Sequence, residues 1–311
     1  MSKGKAFEFA TAISFFNHIN QRRGKVQIIK DANYQNVKAD FDSLNGQEKN
    51  ELMRAAIAGC VEVYNLEPVL QNIHTPLMIS IAPDSFGQVG DVRDVILTKD
   101  GWEIGISCKH NHKALKHQRL SRNIDFGQEW ARYPVSQNYW LSVRPIFDML
   151  EKFRDNGVNW RDLSRHGVSK ENDVYIPLLT SFLQELNLLD GQYTDLAPKF
   201  MEYLAGRKDF YKFVMDETHR EMTIYCYNLH GDLGHGGSVP LIPLPTCFIS
   251  KSWKINRNGQ QSNNTLMIEM DNEWVVGLRL HSAASLVETS LKFDSQPEQI
   301  PNNLLVINKT Y

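Results

Sequence analysis

The sequence predicts an α/β core, then a helical middle, then a β-rich end. Three observations predict it. Apolar residues recur at helical spacing in two early segments, 5–20 and about 47–64. Two apolar-rich runs then meet at Asp100-Gly101, the strongest short-range hairpin signal a chain can carry. After about residue 216 the pattern changes to alternation rich in β-formers.

Taken in order, KAFEFATAISFFNHIN (5–20) reads as an amphipathic helix, followed by basic Arg22, Arg23 and Lys25. QEKNELMRAAIAGCVEVY (about 47–64) is a second helix, whose Ala-rich centre predicts close packing on a sheet. PLMISIAP is an apolar run of strand length between two prolines and predicts a buried strand. The hairpin follows. From Tyr139 to about Phe153 the pattern is helical, with Pro145 near a first turn or at a kink. Residues 169–189 open on polar side chains and continue as a helix, and 194–215 predict one or two more. REMTIYCYNL predicts a strand and GDLGHGGSVP a glycine-rich loop. Residues 250–282 predict three strands with turns at Asn258-Gly259 and near Asp271-Asn272, and LKFDSQ and LLVINKT add strands. The expected division is a core with a helical insertion over 1–215 and a β-rich region over 216–311, in one compact body or two.

Composition bounds the class. With 311 residues, 42% of them hydrophobic and 23% charged, the chain is long enough and apolar enough for a folded core. A net charge of -2 excludes a polycation, so any affinity for nucleic acid must come from local segregation of charge. Cys60, Cys108, Cys226 and Cys247 are far apart with no CxxC spacing, which points to reduced thiols and a cytoplasmic protein. No apolar run approaches membrane-spanning length, and the N-terminus lacks the apolar stretch of a signal peptide, so neither a membrane span nor export is expected. Neither a Gly-x-Ser-x-Gly elbow nor a Walker loop occurs, and His110-Asn111-His112 has no third ligand at fixed spacing.

The hairpin carries the chemistry. If Lys99 pairs with Trp102, counting back sets Asp94 opposite Ser107, and period-2 alternation puts Asp94, Ser107 and Lys109 on one face. Asp91 has the opposite parity and faces away. A divalent cation on a carboxylate polarises a phosphate and lowers the pKa of an attacking water, and a lysine beside it stabilises the growing negative charge. From Ile104 to Asn123 there is no acidic residue, while Lys109, Lys113, Lys116, Arg119 and Arg122 lie there with His110, His112 and His117. Such a one-sign tract suits a phosphate backbone. Around Asn258, Lys251, Lys254 and Arg257 interleave with Trp253 and Ile255, ahead of Gln260, Gln261, Asn263 and Asn264. Those types read base edges, and a two-stranded ribbon fits the major groove. The bland alternative for both stretches is an ordinary solvated surface.

An acid on one strand facing a lysine on the next resembles the PD-(D/E)xK nuclease core. The match departs at Ser107, which stands where that motif has its second acid, so Ser-Cys-Lys replaces acid-x-Lys. In some restriction enzymes of this fold a carboxylate from another element fills the gap. Glu62, Glu103 and Glu129 are the candidates, with Glu62 favoured because Glu103 lies ~20 Å from Lys109 along an extended strand. Beyond the core, GDVRDVILTKDGWEIGISCKHNHKALKHQRLSRNIDFG, then PVSQNYW, and the distal LRLHSAASLVETSLKFD resemble the HaeIII type of type II restriction endonuclease. The resemblance implies a mixed-sheet nuclease core flanked by helices with a β-rich DNA-recognition region. It implies cleavage of double-stranded DNA at GGCC between G and C, blunt ends, Mg2+ and a cognate cytosine methyltransferase, and the palindrome in turn calls for a homodimer on DNA or two successive nicks by a monomer. By the same resemblance Asp94 and Lys109 take the metal and catalytic roles, with Ser107 beside them marking the departure. The residue pattern itself offers Glu62 as the second metal ligand and Lys113, Lys116, Arg119, Arg122, Lys254, Arg257 and Arg279 as DNA contacts. A DNA-binding protein on a decayed nuclease core is the alternative that Ser107 leaves open.

Overall fold

The computed structural model describes residues 2–111, 114–234 and 237–311. Chain order is α1 (Lys3–Gln21), β1 (Val26–Ile28), α2 (Ala32–Asp42), α3 (Gly46–Leu66), α4 (Pro68–Gln71), β2 (Leu77–Ile81), β3 (Val95–Lys99) and β4 (Trp102–His110). Next come β5 (Arg119–Ser121), α5 (Phe126–Ala131), α6 (Gln137–Asp155), α7 (Ile176–Gln192) and α8 (Leu196–Ala205). The chain closes with β6 (Phe210–Asp216), β7 (Glu221–Tyr227), β8 (Phe248–Ile255), β9 (Gln261–Met270), β10 (Val275–His281), β11 (Ser290–Gln299) and β12 (Val306–Thr310).

The helices begin where side chains can satisfy their first amides. Ser2 caps α1, and Asn45 and Glu48 close a reciprocal capping box on α3. Ser136 caps α6, which carries Pro145 well inside it rather than in its first turn. The β3–β4 turn is the primed type that Asp-Gly favours: Asp100 and Gly101 have φ of 50° and 80°, and Lys99 pairs with Trp102 as the sequence predicts.

Two compact units result, each assembled from separated stretches of chain. The first contains residues 1–113, 206–243 and 302–311, and the second 114–205 and 244–301. A cut at 215/216 does not follow this division, because it falls within β6 and separates that strand from β7, its antiparallel partner. The first unit holds a seven-stranded mixed sheet ordered β1-β2-β3-β4-β6-β7-β12, with β1–β2 and β4–β6 parallel. Helices α1 and α3 pack on it, and Phe7, Phe15, Ile79, Leu97, Ile106 and Phe213 are fully shielded in its core. The second holds a five-stranded sheet ordered β5-β11-β10-β9-β8, with α7 against β8 and β9 and an aromatic core of Phe126, Trp130, Phe182, Phe200 and Phe293.

One expectation for 194–215 fails. Helix α8 ends at Ala205, Gly206 takes φ of 118°, and Phe210–Asp216 is a strand in the middle of the first sheet. A strand buried on both faces shows an unbroken apolar run, and its periodicity does not separate it from a buried helix.

Candidate active site

Asp94 is fixed from both sides before its side chain does anything. Its amide donates to the Ile106 carbonyl on β4 at 2.8 Å, and its carbonyl accepts from Ala82, just past β2, at 2.9 Å. Its carboxylate Oδ2 then accepts three donors from β4. They are the Cys108 amide at 2.6 Å, the Ser107 hydroxyl at 3.3 Å and the Lys109 ammonium at 3.4 Å. Cross-strand pairing therefore brings together the three residues that parity selected. Among the described residues all hydrogen bonds to this carboxylate reach Oδ2, so Oδ1 is left for another partner. Asp94 and Lys109 keep 22% and 18% of their side chains exposed, enough for a ligand to reach both.

A fourth residue joins them that the sequence reading passed over. Helix α1 packs on β4, and Thr11 accepts from the Cys108 thiol at 3.4 Å. One turn earlier on that helix, Glu8 is 5% exposed. Burial, then the negative charge of Asp94, pushes the Glu8 carboxyl up to about 8, against the pull of Lys5 and Lys109. The Asp94 carboxylate and the buried Glu8 carboxyl form the oxygen donor set that a hard divalent cation accepts. No cluster of three or more His, Cys, Asp or Glu converges on a metal position among the described residues. A magnesium site needs only one or two carboxylates, with water and phosphate completing the shell, so the residues present fit that ion. Cys108 does not compete as a nucleophile, because burial and the Asp94 charge push its thiol well up.

The three acids considered from sequence lie elsewhere. Glu62 on α3 pairs with Lys309 on β12 at 3.0 Å, and β12 is three strands from β4 across the sheet. Among the described residues nothing in its surroundings brings it to Asp94: its partner is Lys309, at the sheet's far edge. Glu103 is clamped by Arg93 at 3.0 Å and Lys208 at 2.8 Å. Asp91 precedes β3, so strand parity does not turn it away: Arg93, whose side chain covers Gly105 on the β4 face of Ser107 and Lys109, holds it through Nε at 2.8 Å and Nη2 at 2.7 Å. Glu129 belongs to the second unit, on α5.

The basic tract looks different in space than in sequence. His112 and Lys113 lie outside the described residues. Lys116 is buried, its ammonium 3.4 Å from the centre of the Tyr203 ring. Arg119 donates to the Ser290 carbonyl at 2.8 Å and lies 3.9 Å from Glu288, while Arg122 meets Asp148 at 2.8 Å and Glu151 at 3.1 Å. Acids distant in sequence thus compensate a tract that has none of its own. In the second unit Lys254 pairs with Glu298 and Arg279 with Asp294, whereas Arg257 stands exposed in the β8–β9 turn.

A mixed sheet flanked by helices, with an acid and a lysine sharing one end of a central ribbon, is the architecture of a restriction-endonuclease-like protein. Comparison with known proteins gives the same class. The chain matches the HaeIII restriction endonuclease family over residues 4–301. It is 35% identical over 314 aligned positions to the type II restriction enzyme HaeIII of Haemophilus aegyptius, covering 98% of this chain and 96% of that protein. No solved structure matches. The chain belongs to the HaeIII restriction endonuclease family and is a type II site-specific deoxyribonuclease, acting on DNA. None of the described helices is long and apolar enough to cross a membrane.

Proposed function

We propose that the enzyme hydrolyses double-stranded DNA at GGCC, between G and C, leaving blunt ends in a Mg2+-dependent reaction. The observation that carries this reading is the Asp94 carboxylate with one oxygen saturated by Ser107, Cys108 and Lys109 and a buried Glu8 carboxyl beside it. Asp94 and Glu8 would hold the ion. When bound, Mg2+ lowers the pKa of an attacking water and neutralises charge on the scissile phosphate. Lys109, held by Asp94, stabilises the extra negative charge that the phosphate gains during attack. Ser107 keeps the Asp94 carboxylate turned by donating to Oδ2, an orienting role rather than that of a ligand.

A palindromic site presents the same edges to two copies related by a two-fold axis, so the reading includes a homodimer on DNA. It also includes a cytoplasmic setting, where a cytosine methyltransferase shields host sites. Digestion of a plasmid of known sequence tests the proposal. With Mg2+ the fragments should end between G and C of every GGCC, and with EDTA the plasmid should stay intact. Cutting at unrelated sequences would contradict the specificity, and cutting in EDTA would contradict the metal chemistry.

A further inference from the structure

The second unit carries a polar concavity of about 310 Å³ on one face of its sheet, lined by Lys254, Thr265, Gly277, Arg279, Asp294, Gln296 and Glu298. Strand alternation produces it. Leu266, Ile268, Val276, Leu278, Leu291 and Phe293 point the other way and are buried. Register then sets Arg279 opposite Thr265 on β9 and Asp294 on β11, and Gly277 opposite Gln296.

Two cation–carboxylate pairs stand side by side there. Arg279 Nη2 reaches Asp294 Oδ2 at 3.1 Å, and Lys254 reaches Glu298 Oε1 at 2.5 Å. The other Asp294 oxygen accepts from the Gln296 amide at 2.9 Å. Arg279 keeps 54% of its side chain exposed although Asp294 keeps only 12%, so the carboxylate forms a base and the guanidinium is presented. Gly277 makes room for the second pair, because a Cβ there would stand 2.7 Å from Glu298 Oε1.

A phosphate backbone asks for unpaired positive charge, whereas the two cations lining this concavity, Arg279 and Lys254, are each paired with a carboxylate. Base edges ask for something else. In the major groove guanine offers two acceptors and cytosine one amino donor, so a G·C pair is matched by fixed donors beside fixed acceptors. We infer that this concavity reads G·C pairs, with Arg279 and Lys254 donating to guanine edges and Asp294 and Glu298 acting as their positioning residues. The inference rests on the proposed GGCC specificity and names the side chains that deliver it.

Binding without cleavage tests it, using Ca2+ and fluorescent duplexes containing GGCC, a shuffled site, or GGCC with 7-deazaguanine in place of guanine. Wild-type enzyme should prefer GGCC and lose roughly 10- to 100-fold on the 7-deaza duplex, which lacks one acceptor. Arg279→Ala and Arg279→Lys should remove both preferences while changing affinity for the shuffled duplex less than about threefold. Asp294→Asn should reduce the 7-deaza discrimination although its side chain keeps its size, a change that a merely structural role would not produce. Thermal melting of each variant checks the fold. Equal weakening on all duplexes would make Arg279 a phosphate contact and overturn the inference. Preferences unchanged in the variants would overturn it alone, whereas a wild-type enzyme indifferent to GGCC would overturn the proposed specificity as well.

Discussion

Glu8 sits between two buried phenylalanines, Phe7 and Phe9, and is the single acid in α1. An acid in that position is costly to ionise, and its carboxyl accordingly stays protonated up to about pH 8, where an ordinary one titrates at 4.5. The folded metal-free protein therefore holds a proton that the unfolded chain releases from about pH 4.5 upward. That contribution to stability is complete below the unfolded value and is lost as pH rises through about 8. In EDTA the denaturation midpoint of the wild type should fall between about pH 5 and pH 9 relative to that of Glu8→Gln, whose side chain does not titrate. Parallel curves would contradict a buried titrating carboxyl. A bound cation requires the carboxylate form, so Mg2+ affinity should rise over the same window and vanish in Glu8→Ala. At this scale the sequence exposed half the site. Asp94, Ser107 and Lys109 follow from counting across a hairpin, a local rule. Glu8 comes from a helix ~85 residues upstream whose orientation only packing decides, although a lone acid in an apolar helix was a readable signal.

At the scale of elements, α3 rests on β6 through an absence of side chain. A Cβ on Gly59 would stand 2.5 Å from the Phe213 ring, which is fully buried. Gly59→Ala gains ~1 kcal/mol of helix propensity and meets ~1–3 kcal/mol of overpacking against a ring with nowhere to retreat. Net destabilisation is expected, read as a lower urea midpoint at unchanged slope; a stabilised variant would contradict the close approach. The same contact explains which elements were legible. The Ala-rich centre of α3 announced a helix packed on a sheet, and Asp100-Gly101 and Asn258-Gly259 announced their turns, because each signal is local. Phe210–Asp216 was read as helical because a fully buried central strand loses the alternation that marks a strand. Its identity depends on β4 lying alongside, far earlier in the chain, which no window of sequence contains.

At the scale of the whole molecule, the tract from Lys109 to Arg122 shows how tertiary structure redistributes charge. Among its described cations, Lys109 faces Asp94, Arg119 faces Glu288, Arg122 faces Asp148 and Glu151, and Lys116 is buried on Tyr203. Among the described residues the tract thus supplies one lysine beside Asp94 and several ion pairs. The interleaved assembly of the two units has the same origin: strands β6, β7 and β12 return to the first sheet after the second unit has begun. The central claim is that the β3–β4 ribbon is where DNA is hydrolysed, and Lys109→Ala tests it most directly. The account predicts that the variant binds a GGCC duplex in Ca2+ within about threefold of wild type. In Mg2+ its cleavage rate should fall on the order of 10²–10³-fold or more, as expected when a group stabilising transition-state charge is removed. A Lys109→Ala enzyme that cuts at the wild-type rate would contradict it.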